Sequence, residues 1–134
     1  MSSERIAYKV EGIAPPLPVF SSAIQCNGFV YTSGQIGATP DGKLVQGPIT
    51  NRVNQIMDNL EKVLQAHGSG LEHTVKFNIY ITSYDTFSEL NEAYLKRMPS
   101  PAPARSCIGV ATLPRGTDVE IECVGVVVPA KSKL

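Results

Sequence analysis

Residues 103–128 read PARSCIGVATLPRGTDVEIECVGVVV, and two strands with one turn between them account for the whole stretch. Arg105 to Ala111 forms the first strand and Val119 to Val128 the second, joined through Leu113-Pro114-Arg115-Gly116. Side chains alternate across a strand, so Arg105 and Cys107 share one face of theirs, and likewise Glu120 and Glu122 one face of theirs. In the second strand Val119, Ile121 and Cys123 oppose Val124, Val126 and Val128. Both faces of that strand therefore need cover somewhere along its length, and a subunit interface supplies it.

Upstream, Pro99 stops a helix, and Pro101 and Pro103 force an extended approach to Arg105. That helix is expected from about Thr86 to Arg97, with Phe87, Leu90, Tyr94 and Met98 on one face and capping-box spacing between Thr86 and Glu89. TVKFNIYI, from Thr74 to Ile81, alternates as a half-buried strand. Val53, Ile56, Met57, Leu60, Val63 and Leu64 make the apolar stripe of a first helix, with Thr50 as its N-terminal cap and Gly68 as its left-handed stop. The Gly-, Pro- and Asp-containing run Gly34 to Gly47 is loop. Phe20 to Gln25 and Phe29 to Ser33 form a hairpin about Asn27-Gly28, and the prolines of Ile13 to Pro18 make an extended lead-in. The order is strand, strand, helix, strand, helix, strand, strand. Its simplest packing is an α+β domain, a mixed sheet with two helices on one face. One domain spans residues 1–128 and a flexible tail 129–134.

Composition narrows the function. A chain of 134 residues is one domain and needs no disulfide or metal to fold. Twelve basic and twelve acidic residues give a formal net charge of zero, without the basic excess of a phosphate-binding nucleic-acid partner. Three cysteines, Cys26, Cys107 and Cys123, have no paired spacing and read as free thiols. His67 and His73 lack metal-ligand spacing and read as surface or capping residues. No apolar stretch has the length of a membrane span, and the N-terminus carries no signal or transit pattern. The last three residues, Ser132-Lys133-Leu134, match a peroxisomal address, so a peroxisomal location is expected.

Chemistry concentrates at Arg105 and Glu120. Arginine offers a rigid bidentate fork for a carboxylate, and a nearby glutamate can hold and deprotonate water. If their strands are adjacent, the two meet in one pocket; on spacing alone, the commoner outcome for such a pair is a cross-strand ion pair. Glu122 reads as a solvated or interface charge.

PARSCIGVATLP followed by VEIE resembles the signature of the Rid family, the YjgF-type reactive intermediate deaminases. YTSGQIG at Tyr31–Gly37 and FSELNEAY at Phe87–Tyr94 resemble its other hallmarks, so the likeness spans essentially the whole chain. The resemblance implies a chorismate-mutase-like α+β subunit assembled as a homotrimer, with active sites in the clefts between subunits. It implies that Arg105 binds a substrate carboxylate and Glu120 activates water. Ser33 and Cys107 would line the pocket, and Gly34 would allow close backbone approach. Phe20 stands where the family commonly has a tyrosine, keeping the ring and losing the hydroxyl. The implied reaction is hydrolysis of a 2-imino acid or its enamine to a 2-keto acid and ammonia, with no cofactor and no metal. The partners expected are a small imine or keto acid and further copies of the chain, with no membrane. Two other readings stand beside it: a trimer that binds keto acids without turnover, and an endoribonuclease, which the zero net charge opposes.

Overall fold

A computed structural model of the chain describes residues 3–129. The hairpin forms as its turn residues require: Asn27 and Gly28 take positive φ of 57° and 85°, which matches strand twist and suits Asn-Gly. It joins β1 (Ala23–Cys26) to β2 (Phe29–Thr32). Then come α1 (Ile49–Ala66), β3 (Thr74–Ile81), α2 (Phe87–Leu95), β4 (Ala104–Gly109) and β5 (Val119–Val126). The sheet order is β1-β2-β5-β3-β4, antiparallel except for the parallel pair of β3 and β4. The expected α+β mixed sheet with two helices is therefore present, and both helices lie over one face.

The apolar stripe of α1 becomes the centre of the core. Val53, Ile56, Met57, Leu60, Val63 and Leu64 are wholly buried against Phe77, Ile79 and Ile81 of β3 and Val119 and Ile121 of β5. Phe77 meets the ring of Tyr94 edge-on at 5.5 Å, fastening α2 to the same layer. Truncating a ring packed like Phe77 costs about 3–5 kcal/mol. Gly68 takes φ 79° and ends α1 as expected.

Helix starts differ from expectation. Pro48 occupies the N-cap of α1, so the helix begins at Ile49 and Thr50 lies inside it, its hydroxyl 3.4 Å from Glu89. Thr86 makes no side-chain cap; a single 3-10 turn at Tyr84–Thr86 leads into α2, and Ser83 caps that turn by accepting from the Asp85 N–H. His67 is not a surface residue. It is 1% exposed, its Nδ1 is 2.7 Å from the Val63 carbonyl, and its Nε2 accepts from the Tyr8 N–H at 3.1 Å. That contact ties the N-terminal segment to the end of α1.

The other face of the sheet carries no helix. Phe29 and Tyr31 of β2, Val124 and Val126 of β5, Tyr80 of β3 and Ile108 of β4 lie on it, with Tyr31 48% and Ile108 50% exposed.

Candidate functional site

β5 places Glu120 on the open face, opposite Tyr80 of β3. The backbone after β2 turns alongside it: Gln35 and Ile121 exchange N–H to carbonyl hydrogen bonds of 2.8 and 3.1 Å. This lays Gly34 directly on Glu120. A Cβ at Gly34 would stand 2.8 Å from the Glu120 carboxyl carbon, so only glycine fits while the carboxylate keeps its place. Ser33 is fixed at the same corner, its hydroxyl donating to the Ser21 carbonyl at 2.6 Å and its N–H to Ser22 at 2.9 Å. Ser33, Gly34, Glu120 and Phe20 line one cavity of about 650 Å³. Pro15, Pro16, Leu17, Ile36 and Pro114 form an apolar part of its remaining wall.

Glu120 is half-buried there and makes no hydrogen bond or ion pair among the described residues. Burial pushes its carboxyl above the usual range, and the charge of Glu122 adds to the rise. A carboxylate so placed can accept a proton from water and hand it on. Glu122 does not share that freedom: Asn78 donates to it at 3.3 Å.

Arg105 and Cys107 lie elsewhere. β3 is inserted between β4 and β5, and its register pairs Phe77 with Arg105 on one side and with Cys123 on the other. Arg105 therefore points to the helix face while Glu120 occupies the open face. The expectation that adjacent strands bring both into one pocket of a single chain fails, because the sheet order is not the chain order. The cross-strand ion pair that spacing allowed fails for the same reason.

What the helix face gives Arg105 is a seat that sequence reasoning missed. Its guanidinium carbon sits 5.0 Å from the Tyr94 ring centre and 5.8 Å from that of Phe87, and Nη1 donates to Asn91 Oδ1 at 2.7 Å. Burial pushes the Tyr94 hydroxyl up to about 12, partly offset by Arg105, so the ring stays neutral beside the cation. One arm of the fork is held, and the others make no hydrogen bond among the described residues. Phe87 and Tyr94 lie on the core face of α2, as their spacing predicts; that they also stack on Arg105 depends on β4 passing beneath that face.

Cys107 follows two residues along the same face. Burial pushes its thiol up against the opposing effect of Arg105, so at neutral pH it is not a ready nucleophile. Its carbonyl accepts from the Tyr84 hydroxyl at 2.7 Å. Among the described residues no cluster of His, Cys, Asp or Glu could hold a metal ion, and no helix is long and apolar enough to cross a membrane.

A family model described as Endoribonuclease L-PSP matches residues 12–127. Protein MMF1, mitochondrial, of Saccharomyces cerevisiae is 42% identical over 85% of this chain and 79% of its own length. A 2-iminobutanoate/2-iminopropanoate deaminase of Dermatophagoides farinae is 38% identical over 86% of this chain and 91% of its own. The crystal structure of yeast Mmf1 superposes with a TM-score of 0.90 at 37% identity, covering 93% of this chain and all of that one. These findings overturn the peroxisomal expectation, since the similar yeast protein is named as mitochondrial and nothing found points to a peroxisome. Ser132-Lys133-Leu134, on which that expectation stood, lies outside the described residues, and three letters carry too little chemistry to stand alone.

Proposed function

The chain belongs to the Rid, or endoribonuclease L-PSP, family, and from that premise we propose that it hydrolyses 2-imino acids to 2-keto acids and ammonia. The observation that carries the proposal is the unpartnered, half-buried Glu120 carboxyl held against Gly34 at an apolar cavity. The name of the mite relative supports the same chemistry.

The steps follow from charge. The substrate is an iminium carboxylate, its carbon electrophilic because the nitrogen is protonated. Arg105, steadied by Asn91 and two rings, grips the carboxylate. Glu120 takes a proton from water as the oxygen bonds to the imine carbon and the carbon–nitrogen π pair moves to nitrogen. The same proton then goes to that nitrogen, the carbon–nitrogen bond breaks, and the carbinol oxygen becomes the keto group as its proton is lost to the departing ammonia. One iminium and one water give one keto acid and one ammonium, and no electron changes hands.

Within one chain the two groups occupy opposite faces of the sheet. A site using both is therefore built from two copies, and a homotrimer with its sites in the clefts between subunits meets that demand. The uncovered stripe of Phe29, Tyr31, Val124 and Val126 gives such an assembly its contact surface.

A complementation experiment tests the mechanism and the shared site together. Arg105→Ala and Glu120→Gln proteins, each folded, should lose roughly thirtyfold or more in the release of ammonia from imines made in situ by an amino-acid oxidase. Unfolded together in equal amounts and refolded, they should recover about a quarter of wild-type activity, because one cleft in four then combines an intact arginine with an intact glutamate. Near-normal activity in either folded single variant would sink the mechanism; no recovery on mixing would sink the shared site.

A further inference from the structure

The cavity beside Glu120 is larger and more apolar than the smallest 2-imino acids require. At about 650 Å³ its space has an apolar wall formed by Pro15, Pro16, Leu17, Phe20, Ile36 and Pro114. Three of its polar neighbours are already engaged: the Ser33 hydroxyl donates to Ser21, Arg115 donates to the Gly42 carbonyl, and Glu122 accepts from Asn78. Glu120 faces the space without a hydrogen-bond partner among the described residues.

That wall is displayed rather than collapsed. Within the single chain Leu17 is 64% exposed and Phe20 45% exposed, apolar side chains left uncovered at the rim. The segment carrying them is pinned at both ends, by Ile13 in the core at 7% exposure and by Ser22, also 7% exposed. Lys62 donates to the Gly12 carbonyl at 2.9 Å, and the Phe20 N–H closes a turn on Leu17 at 3.2 Å. Pro15, Pro16 and Pro18 fix φ between those anchors, so little freedom remains for the rim to fold inward. An apolar surface held open in this way gains from a ligand that covers it.

We propose that this cavity takes the side chain of the substrate, and that the chain selects 2-imino acids with branched or aromatic side chains over those derived from alanine or serine. The inference rests on the imine-hydrolase reading and deepens it. With the carboxylate on Arg105 and the imine carbon at Glu120, the substituent is the part of the molecule left to meet Leu17 and Phe20. A methyl group leaves most of that wall wet, whereas an isobutyl or benzyl group covers it. Each methylene buried there is worth about fourfold in kcat/KM.

The test compares imines generated in situ by an amino-acid oxidase from alanine, leucine and phenylalanine. The leucine- and phenylalanine-derived imines should be hydrolysed with kcat/KM at least about tenfold above the alanine-derived one. Because Leu17 is exposed, Leu17→Ser leaves the core alone, and it should pull that ratio toward one. A measurement needing no variant runs alongside: 4-methyl-2-oxopentanoate should inhibit at least about tenfold more tightly than pyruvate. Turnover in which the alanine-derived imine equals or exceeds the larger ones overturns the preference, a ratio untouched by Leu17→Ser overturns the placing of the side chain in this cavity, and either leaves the hydrolase reading standing. Absence of turnover for every imine overturns both.

Discussion

Glu120 and Gly34 are a pair in which each explains the other. The carboxylate occupies the volume that any side chain at position 34 would fill, and the glycine lets backbone wall the carboxylate in. The cost of that confinement is readable in pH. Burial and the neighbouring Glu122 raise the Glu120 carboxyl, so the fold favours its neutral form. An acid raised in the folded state lends stability that is fully present below its unfolded value, about 4.3, and is lost as pH rises through the folded value. At neutral pH the ionised group is therefore a burden on the fold. Glu120→Gln should unfold at a higher temperature than wild type at pH 7, and the gain should vanish near about pH 4, where wild type is itself protonated. Thermal unfolding of both proteins at the two pH values checks this; an equal gain at both would mean that shape, not charge, is responsible. Such a loss of stability is what a carboxyl held for chemistry rather than for the fold would be expected to cost.

At the scale of elements, what was legible and what was not divide along local and long-range lines. The Asn27-Gly28 turn, the stripe of α1, the alternation of β5 and that of β3 from Lys76 onward are properties of neighbours in sequence and formed as read; at the start of β3 an irregularity between Thr74 and Lys76 buries Thr74 and turns Val75 outward. The Thr50 cap misread a local contest, because Pro48, with φ fixed, suits the position before the first helical residue and moved the start upstream. Strand order is a different matter. Sequential strands usually neighbour one another, yet the crossover through α2 sets β4 parallel to β3 and leaves β5 on the far side of β3. No spacing within residues 103–128 encodes that order or the register of β3 with its two neighbours, and together they decide that Arg105 and Glu120 part company. The same crossover brings α2 over Arg105 and makes Asn91 matter, a residue that looks like any polar position on a helix. Its single hydrogen bond holds one arm of the fork. Asn91→Ala should raise KM for the imine about tenfold with a smaller change in kcat, while Asn91→Gln recovers part of the loss. A merely structural role would instead lower the unfolding temperature and leave KM unmoved.

For the whole molecule the question is what covers the open face of the sheet. Tyr31 and Ile108 are each about half exposed, and Phe29 and Tyr31 pack with ring centres 6.3 Å apart on a surface no helix reaches. With zero net charge, no long-range repulsion opposes a second copy. Light scattering coupled to size exclusion should give a mass near three times the 14.4 kDa subunit, and a stable monomer would refute the assembly. The location of the protein in the cell was the least legible feature. It hung on three terminal letters, whereas the fold rests on contacts spread through the chain.

On the mechanism proposed above, the placing of Arg105 and Glu120 on opposite faces of one sheet would also make turnover a collective property. A lone copy carries both groups on opposite faces of its sheet, and under that mechanism it could not use one with the other. Rate per chain should then depend on how much protein is present: serial dilution below the assembly constant should lower specific activity, and a crowding polymer should restore it. A specific activity constant across a thousandfold dilution, with monomers verified at the low end, would show that one copy suffices. Expression level in such a system sets efficiency as well as capacity, so halving the protein can cost more than half the flux.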